Sequence, residues 1–217
     1  MRYALALCML LALTGASVHA DTVAYADPAN QGTQSWGGNL ALNFSVVSPV
    51  TVTSLGVFNA SGTGTITGTI QVVIFNTVTN TEVTPVVTFG PNISYTPAGF
   101  DVFQTITPVV LGAGSYAVDA VGFNVSDRNG NLNTGSSTGP VLSGGGAIVF
   151  TGASYDGSAT LDDPMTCIGC LSLPTQVRQF DAGTFTFTPT PEPGSFLLLG
   201  AGLLGLTGMT WRKKRLA

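Results

Sequence analysis

Leu40-Ala41-Leu42-Asn43-Phe44-Ser45-Val46, Val52-Thr53-Ser54-Leu55-Gly56-Val57-Phe58 and Thr69-Ile70-Gln71-Val72-Val73-Ile74-Phe75 are the runs that decide the fold. Each is rich in β-branched or aromatic residues and alternates, or nearly alternates, apolar with polar, the pattern of a strand with one face in a core. Each is therefore read as a half-buried strand. Further strands are expected over Val83 to Phe89, Asp101 to Ile106, Ser115 to Phe123, Ala147 to Thr151 and Thr184 to Thr188, punctuated by Gly, Pro, Asn and Asp clusters. About eight strands recur at short intervals with no amphipathic helix between them. That spacing predicts an all-β antiparallel sandwich or jelly roll rather than a parallel sheet. No fixed-period repeat suggests a solenoid or propeller.

The region carrying these strands, Asp21 to Thr190, has the length of one domain. It contains ten carboxylates against Arg128 and Arg178, with no lysine, a net charge of about −8. Such a surface repels phosphate backbones, so nucleic acid is excluded as a partner.

The only histidine of the chain is His19, ahead of this region. Without histidine or lysine the domain cannot assemble Ser-His-Asp or Cys-His nucleophiles, histidine metal centres or lysine Schiff bases. Paired carboxylates, as in glycoside hydrolysis, are what remains. Asp156, Asp162 and Asp163 form the one acidic cluster, beside Tyr155, Gly157 and Pro164. A solvated loop with Asx-turn aspartates explains them more simply. The composition predicts no enzyme and no cofactor.

Cys167-Ile168-Gly169-Cys170 would be a redox or half-zinc motif in the cytosol, but two further zinc ligands are lacking and prolines bracket it. In an oxidising compartment the two thiols are expected to close a small disulfide ring. Asp127-Arg128-Asn129-Gly130-Asn131-Leu132-Asn133 spaces oxygens at alternate positions, as calcium loops do. Leu132 and Thr138 stand where an EF-hand needs glycine and a bidentate glutamate, so the stretch is read as a polar turn without a metal. Were calcium bound, Asp127, Asn129 and Asn131 would hold it. Trp36, Tyr25, Tyr95 and Tyr155 are possible stacking platforms for sugar rings, with Trp36 and Tyr155 the candidate ligand contacts. Trp36 can equally fill the core.

Residues 1–20 have the form of a signal peptide: Arg2, an apolar stretch from Tyr3 to Leu13, and Val18-His19-Ala20 with small residues where a signal peptidase reads. Cleavage is expected between Ala20 and Asp21. Cys8 lies inside the apolar stretch rather than at the cleavage site, which argues against lipidation. At the other end, Pro191-Glu192-Pro193-Gly194 precedes an apolar run from Ser195 to Trp211 and the cluster Arg212-Lys213-Lys214-Arg215. As a helix the run would be about 25 Å long, just short of a hydrocarbon core of about 30 Å. Residues 195–211 are therefore expected to form a single, marginal transmembrane helix. The four cations after Trp211 act as a stop-transfer cluster and orient it with the C-terminus inside.

Residues 191–215, in combination with the signal peptide, resemble the PEP-CTERM proteins of Gram-negative bacteria. The resemblance implies recognition by an exosortase, a membrane transpeptidase cutting near Pro191, Glu192 and Pro193, and hence release to the cell surface or beyond. It also implies a link to exopolysaccharide and biofilm. The stretch from Trp36 to Phe89, with Trp36-Gly37-Gly38-Asn39-Leu40 at its head, loosely resembles galactose-binding-like jelly-roll modules. The domain organisation expected is thus 1–20 signal peptide, 21–190 β-sandwich ectodomain, 191–217 sorting tail.

Overall fold

A computed structural model describes residues 21–25, 32–131, 146–164, 171–173 and 180–190. The expected signal peptide, the Cys167/Cys170 pair, the Pro-Glu-Pro motif, the apolar span and the basic cluster lie outside the described residues. Among the described residues there is no helix, and none therefore long and apolar enough to cross a membrane.

Among the described residues there are twelve strands: β1 (Thr22–Val23), β2 (Leu40–Val46), β3 (Val50–Phe58), β4 (Ile70–Asn76), β5 (Thr81–Glu82), β6 (Val87–Phe89), β7 (Pro97–Ala98), β8 (Asp101–Leu111), β9 (Gly114–Val121), β10 (Ile148–Tyr155), β11 (Leu171–Leu173) and β12 (Gly183–Pro189). They form two antiparallel sheets. The smaller runs β1-β12-β3-β8-β7; the larger runs β11-β10-β2-β9-β4-β5, with β6 also on β4. The chain changes sheet between β2 and β3 and again between β3 and β4, and β3 and β4 face each other across the core.

That core is built from alternate residues of both sheets. Leu40, Leu42, Phe44 and Val46 of β2 and Tyr116, Val118 and Ala120 of β9 meet Val50, Val52, Leu55 and Val57 of β3 and Phe185 and Phe187 of β12. Phe44 and Phe185 join the sheets with ring centroids 5.0 Å apart. Between Val52 and Leu55 the inward positions skip a beat. Thr53 is an extra residue relative to β12, where Thr186 pairs Ser54 and Phe187 pairs Val52. A bulge of this kind resets which residues face inward, and it explains why Leu55 and Val57 are core although their phase differs from Val50 and Val52.

Four sequence expectations change. β2 and β4 are not half-buried: Ala41, Asn43, Val73 and Phe75, pointing away from the sandwich, are buried as well. The apolar run Val72 to Phe75 of β4 is what a strand covered on both faces looks like. Of the strand expected over Val83 to Phe89 only Val87–Phe89 forms, as β6; β5 ends at Glu82, and Pro85 between them has no N–H for the ladder. The strand expected to stop at Ile106 continues to Leu111. The β3–β8 register jumps from Ser54↔Thr105 to Val52↔Val109, leaving Pro108 in a stretch that needs no ladder donor. The strand expected to stop at Thr151 runs to Tyr155 past a register shift between Phe150 and Gly152. That extension carries the chain into the site described next.

Candidate functional site

At one edge of the larger sheet, the start of β2, the end of β10 and the end of β9 lie side by side: Leu40 pairs both Tyr155 and Ala120. Asn39 and Asp156 continue the ladder, with the Asp156 amide donating to the Asn39 carbonyl at 3.3 Å. From there residues 156–163 fold back over Asn39. Asp156 Oδ1 accepts from the Ser158 amide at 2.6 Å, an Asx turn, but Asp156 and Asp163 are buried rather than solvated as expected. The Thr160 amide donates to Ser158 Oγ at 3.3 Å.

These turns aim oxygens inward. Asn39 Nδ2 is 3.1 Å from Asp156 Oδ1, 3.5 Å from the Ser158 carbonyl, 2.8 Å from the Thr160 carbonyl and 3.1 Å from Asp162 Oδ1. An amide nitrogen carries two protons, so it cannot satisfy four acceptors. Asn39 is fully buried, and its own Oδ1 has no hydrogen-bond partner. The side chain is oversupplied at one atom and starved at the other.

Asp119 adds to the imbalance. It sits in the middle of β9, opposite Ala41 on β2 and Val73 on β4. By strand alternation it is on the same outer face as Asn39. It is fully buried, and neither carboxylate oxygen meets a donor in hydrogen-bonding geometry. Burial pushes its pKa well above the usual carboxylate range; the charges of Asp156, Asp162 and Asp163 push the same way, and the nearby Ala120 amide offsets part of this. Asp162 is also raised, by burial first and then by the Asp156 carboxyl within hydrogen-bonding reach, against a lowering contribution from Ser158.

The aromatic candidates separate. Tyr25 and Tyr95 belong to the core. Trp36 does not: the residue is 38% exposed, and its Nε1 donates to the Asp156 carbonyl at 3.1 Å. Its ring meets the edge of Tyr155 at 5.8 Å, and Tyr155 in turn meets Phe180 at 5.8 Å. Trp36 and Tyr155 thus stand together beside the 156–163 loop, a juxtaposition the sequence did not reveal.

Asp127, Asn129 and Asn131, the residues considered for calcium, do not converge. Asp127 accepts from the Thr67 amide at 2.9 Å, the Thr67 hydroxyl at 2.7 Å and the Gly68 amide at 2.6 Å. Asn129 Oδ1 accepts from the Asn131 amide at 3.1 Å, and Asn131 Oδ1 from the Asp181 amide at 2.9 Å. The Asp127 and Asn131 oxygens tie separate loops together, and that of Asn129 braces its own. Burial alone would raise the Asp127 pKa, but the hydrogen bonds from Thr67, Gly68 and Asn124 hold it below the usual value. A lowered carboxylate stabilises the fold above its unfolded pKa of about 3.9, and the contribution is lost as pH falls through the folded value. Asp127→Asn is expected to cost about 1.5 kcal/mol at neutral pH. In urea unfolding the gap from the unsubstituted protein should narrow steadily below about pH 4; a gap constant down to pH 2 would contradict the assignment.

Asn39 and Asp119 escaped the sequence reading. Asp119 carried a signal, a lone charge inside the apolar run Ala117-Val118-Asp119-Ala120-Val121. Asn39 carried none, because an asparagine ahead of a strand is ordinary.

Neither the comparison with curated proteins nor that with solved structures returns a match, so the likeness to galactose-binding-like modules has no support beyond spacing. The comparison with protein families does return one: residues 189–215 match the PEP-CTERM protein-sorting motif. The matched segment starts where β12 ends, at Pro189. The chain therefore carries a PEP-CTERM sorting signal directly behind β12, consistent with an exosortase substrate exported through membrane-anchored processing toward the cell surface.

Proposed function

We propose that this is a non-catalytic surface or extracellular-matrix protein associated with exopolysaccharide, delivered by the sorting tail. The carrying observation is the PEP-CTERM motif at 189–215. The fold is compatible with it: the Thr190 amide donates to the Pro49 carbonyl at 2.9 Å, so the ladder of the smaller sheet closes just before Pro191. In this reading a signal peptidase removes residues 1–20, residues 195–211 hold the chain in the inner membrane, Arg212 to Arg215 stop transfer, and an exosortase cuts near Pro191 to Pro193. Cys167 and Cys170 pair in the periplasm. The ectodomain is read as a jelly roll from the sheet-to-sheet alternation of β2, β3 and β4.

Intact mass spectrometry of the protein from an exosortase-bearing host, with and without that enzyme, tests the proposal. A species from Asp21 to about Pro191 to Pro193 is expected only when the enzyme is present. A chain still carrying Trp211 to Ala217 in both hosts would sink it.

Exposed Trp36 beside Tyr155 favours one refinement, that the ectodomain binds polysaccharide by ring stacking. Retardation in gels containing polysaccharide, lost in Trp36→Ala, is the expected result. A glycosidase reading is less well supported. The Asp156 and Asp162 carboxyls lie within hydrogen-bonding reach of each other, whereas flanking a glycosidic bond needs about 5 to 9.5 Å between them.

A further inference from the structure

Residues 156, 158, 160 and 162 present oxygens from alternate positions of one loop, and all four oxygens point at Asn39 Nδ2. Two come from carboxylates and two from main-chain carbonyls. A neutral NH2 is a poor occupant for such a point, since half of the acceptors must go without a proton. The buried, unpartnered Asn39 Oδ1 and the buried, unpartnered Asp119 carboxylate nearby show that the amide does not resolve the site as it stands. Which end of an asparagine amide is oxygen is decided by its surroundings. Turning Asn39 over would place Oδ1 among these four oxygens, an arrangement that only a positive charge can hold together.

We propose that the loop Asp156 to Asp162 and Asn39 form a calcium site. Its protein ligands are Asp156 Oδ1, Asp162 Oδ1, the carbonyls of Ser158 and Thr160, and Asn39 Oδ1 after the amide turns, with water completing the shell. Among the described residues no three carboxylate, imidazole or thiol side chains are grouped to hold a metal on their own, so the site depends on neutral oxygens. That favours calcium, which takes carbonyl and amide oxygens in irregular shells of six to eight, over magnesium, which demands a tight octahedron. The ion would also offset the charges of Asp156 and Asp162 that bear on buried Asp119. Because the Trp36 indole donates to the Asp156 carbonyl, its environment shifts when the loop tightens.

The test uses the full-length chain in detergent micelles with Trp211→Phe, leaving Trp36 as the only tryptophan. Equilibrium dialysis against radioactive calcium is expected to show one ion per chain, with Kd about 10⁻⁴ to 10⁻³ M as for extracellular modules. Trp36 emission should follow the same curve, and magnesium should bind at least about tenfold more weakly. Asp162→Asn and Asp156→Asn should each weaken calcium at least about tenfold, while Asp127→Asn leaves it unchanged. Absence of saturable uptake by the unsubstituted site up to about 10 mM would overturn the proposal without recourse to any variant. So would uptake that survives both Asp156→Asn and Asp162→Asn, or equal affinity for magnesium.

Discussion

Phe44→Ala is expected to lower the unfolding free energy by about 3 to 5 kcal/mol, a large share of the roughly 5 to 15 kcal/mol that holds a domain together. Phe44 lies on β2, flanked in the larger sheet by β10 and β9. Its ring is fully buried and touches Tyr116 at 5.7 Å, Phe150 at 5.9 Å and, across the core, Phe185 at 5.0 Å. Partners on three strands of two sheets leave little scope for the neighbours to collapse into the space. Removing the ring costs both its transfer from water and the cavity left behind. Guanidinium unfolding should show a lower midpoint with an unchanged slope, the signature of a folded state weakened rather than rearranged. A loss below about 1.5 kcal/mol would mean that the two sheets do not meet at this residue.

Gly38→Ala should be felt just as clearly, for the opposite reason. A Cβ at Gly38 would stand 2.2 Å from the Asp156 carbonyl oxygen, 2.9 Å from Trp36 Nε1 and 3.0 Å from Gly157 Cα. The nearest of these, the Asp156 carbonyl oxygen, and Gly157 Cα belong to the main chain and cannot swing aside as a flexible side chain would. The methyl can be admitted only by prising Asp156 away from Asn39, at a cost of about 3 kcal/mol, the upper part of the range for overpacking. The displacement also breaks the indole hydrogen bond, so Trp36 emission should move to the red in the folded protein. An unaltered spectrum together with unaltered stability would show that the 156–163 loop does not close over Gly38. The two substitutions act at separate places and their effects should add.

Strands β2, β3 and β4 were legible because their residues carry the information locally. β2 and the start of β3 follow alternation, and Gly122, with φ of +103°, ends β9 two residues short of the expected boundary because Phe123 has already left the ladder. What could not be read is set by contacts distant in sequence. The bulge at Thr53 exists because β3 must match β12 on one side and β8 on the other. The short strands β1 and β7, with two residues each, have no periodicity to detect and are held by their neighbours. The same holds for the cluster around Asn39: Asp156 and Asp162 were visible as an acidic group, but their partner lies more than 110 positions earlier in the chain. Trp36 could be read as a stacking platform or as a core residue, because it precedes a strand. It is exposed because the ladder begins only at Leu40.

Strand β12 is clamped on both sides, by β1 through Thr22↔Phe187 and Val23↔Thr186 and by β3 along its whole length from Gly183↔Val57 to Pro189↔Val50. Wherever a tail leaving Pro189 is held fast, drag on the domain pulls β12 along its own axis. The rungs of that ladder would then bear the load side by side, in shear, instead of peeling open one after another. A tether that enters a fold in this way fails late, and the domain can be tugged by flow without being unravelled from its point of attachment.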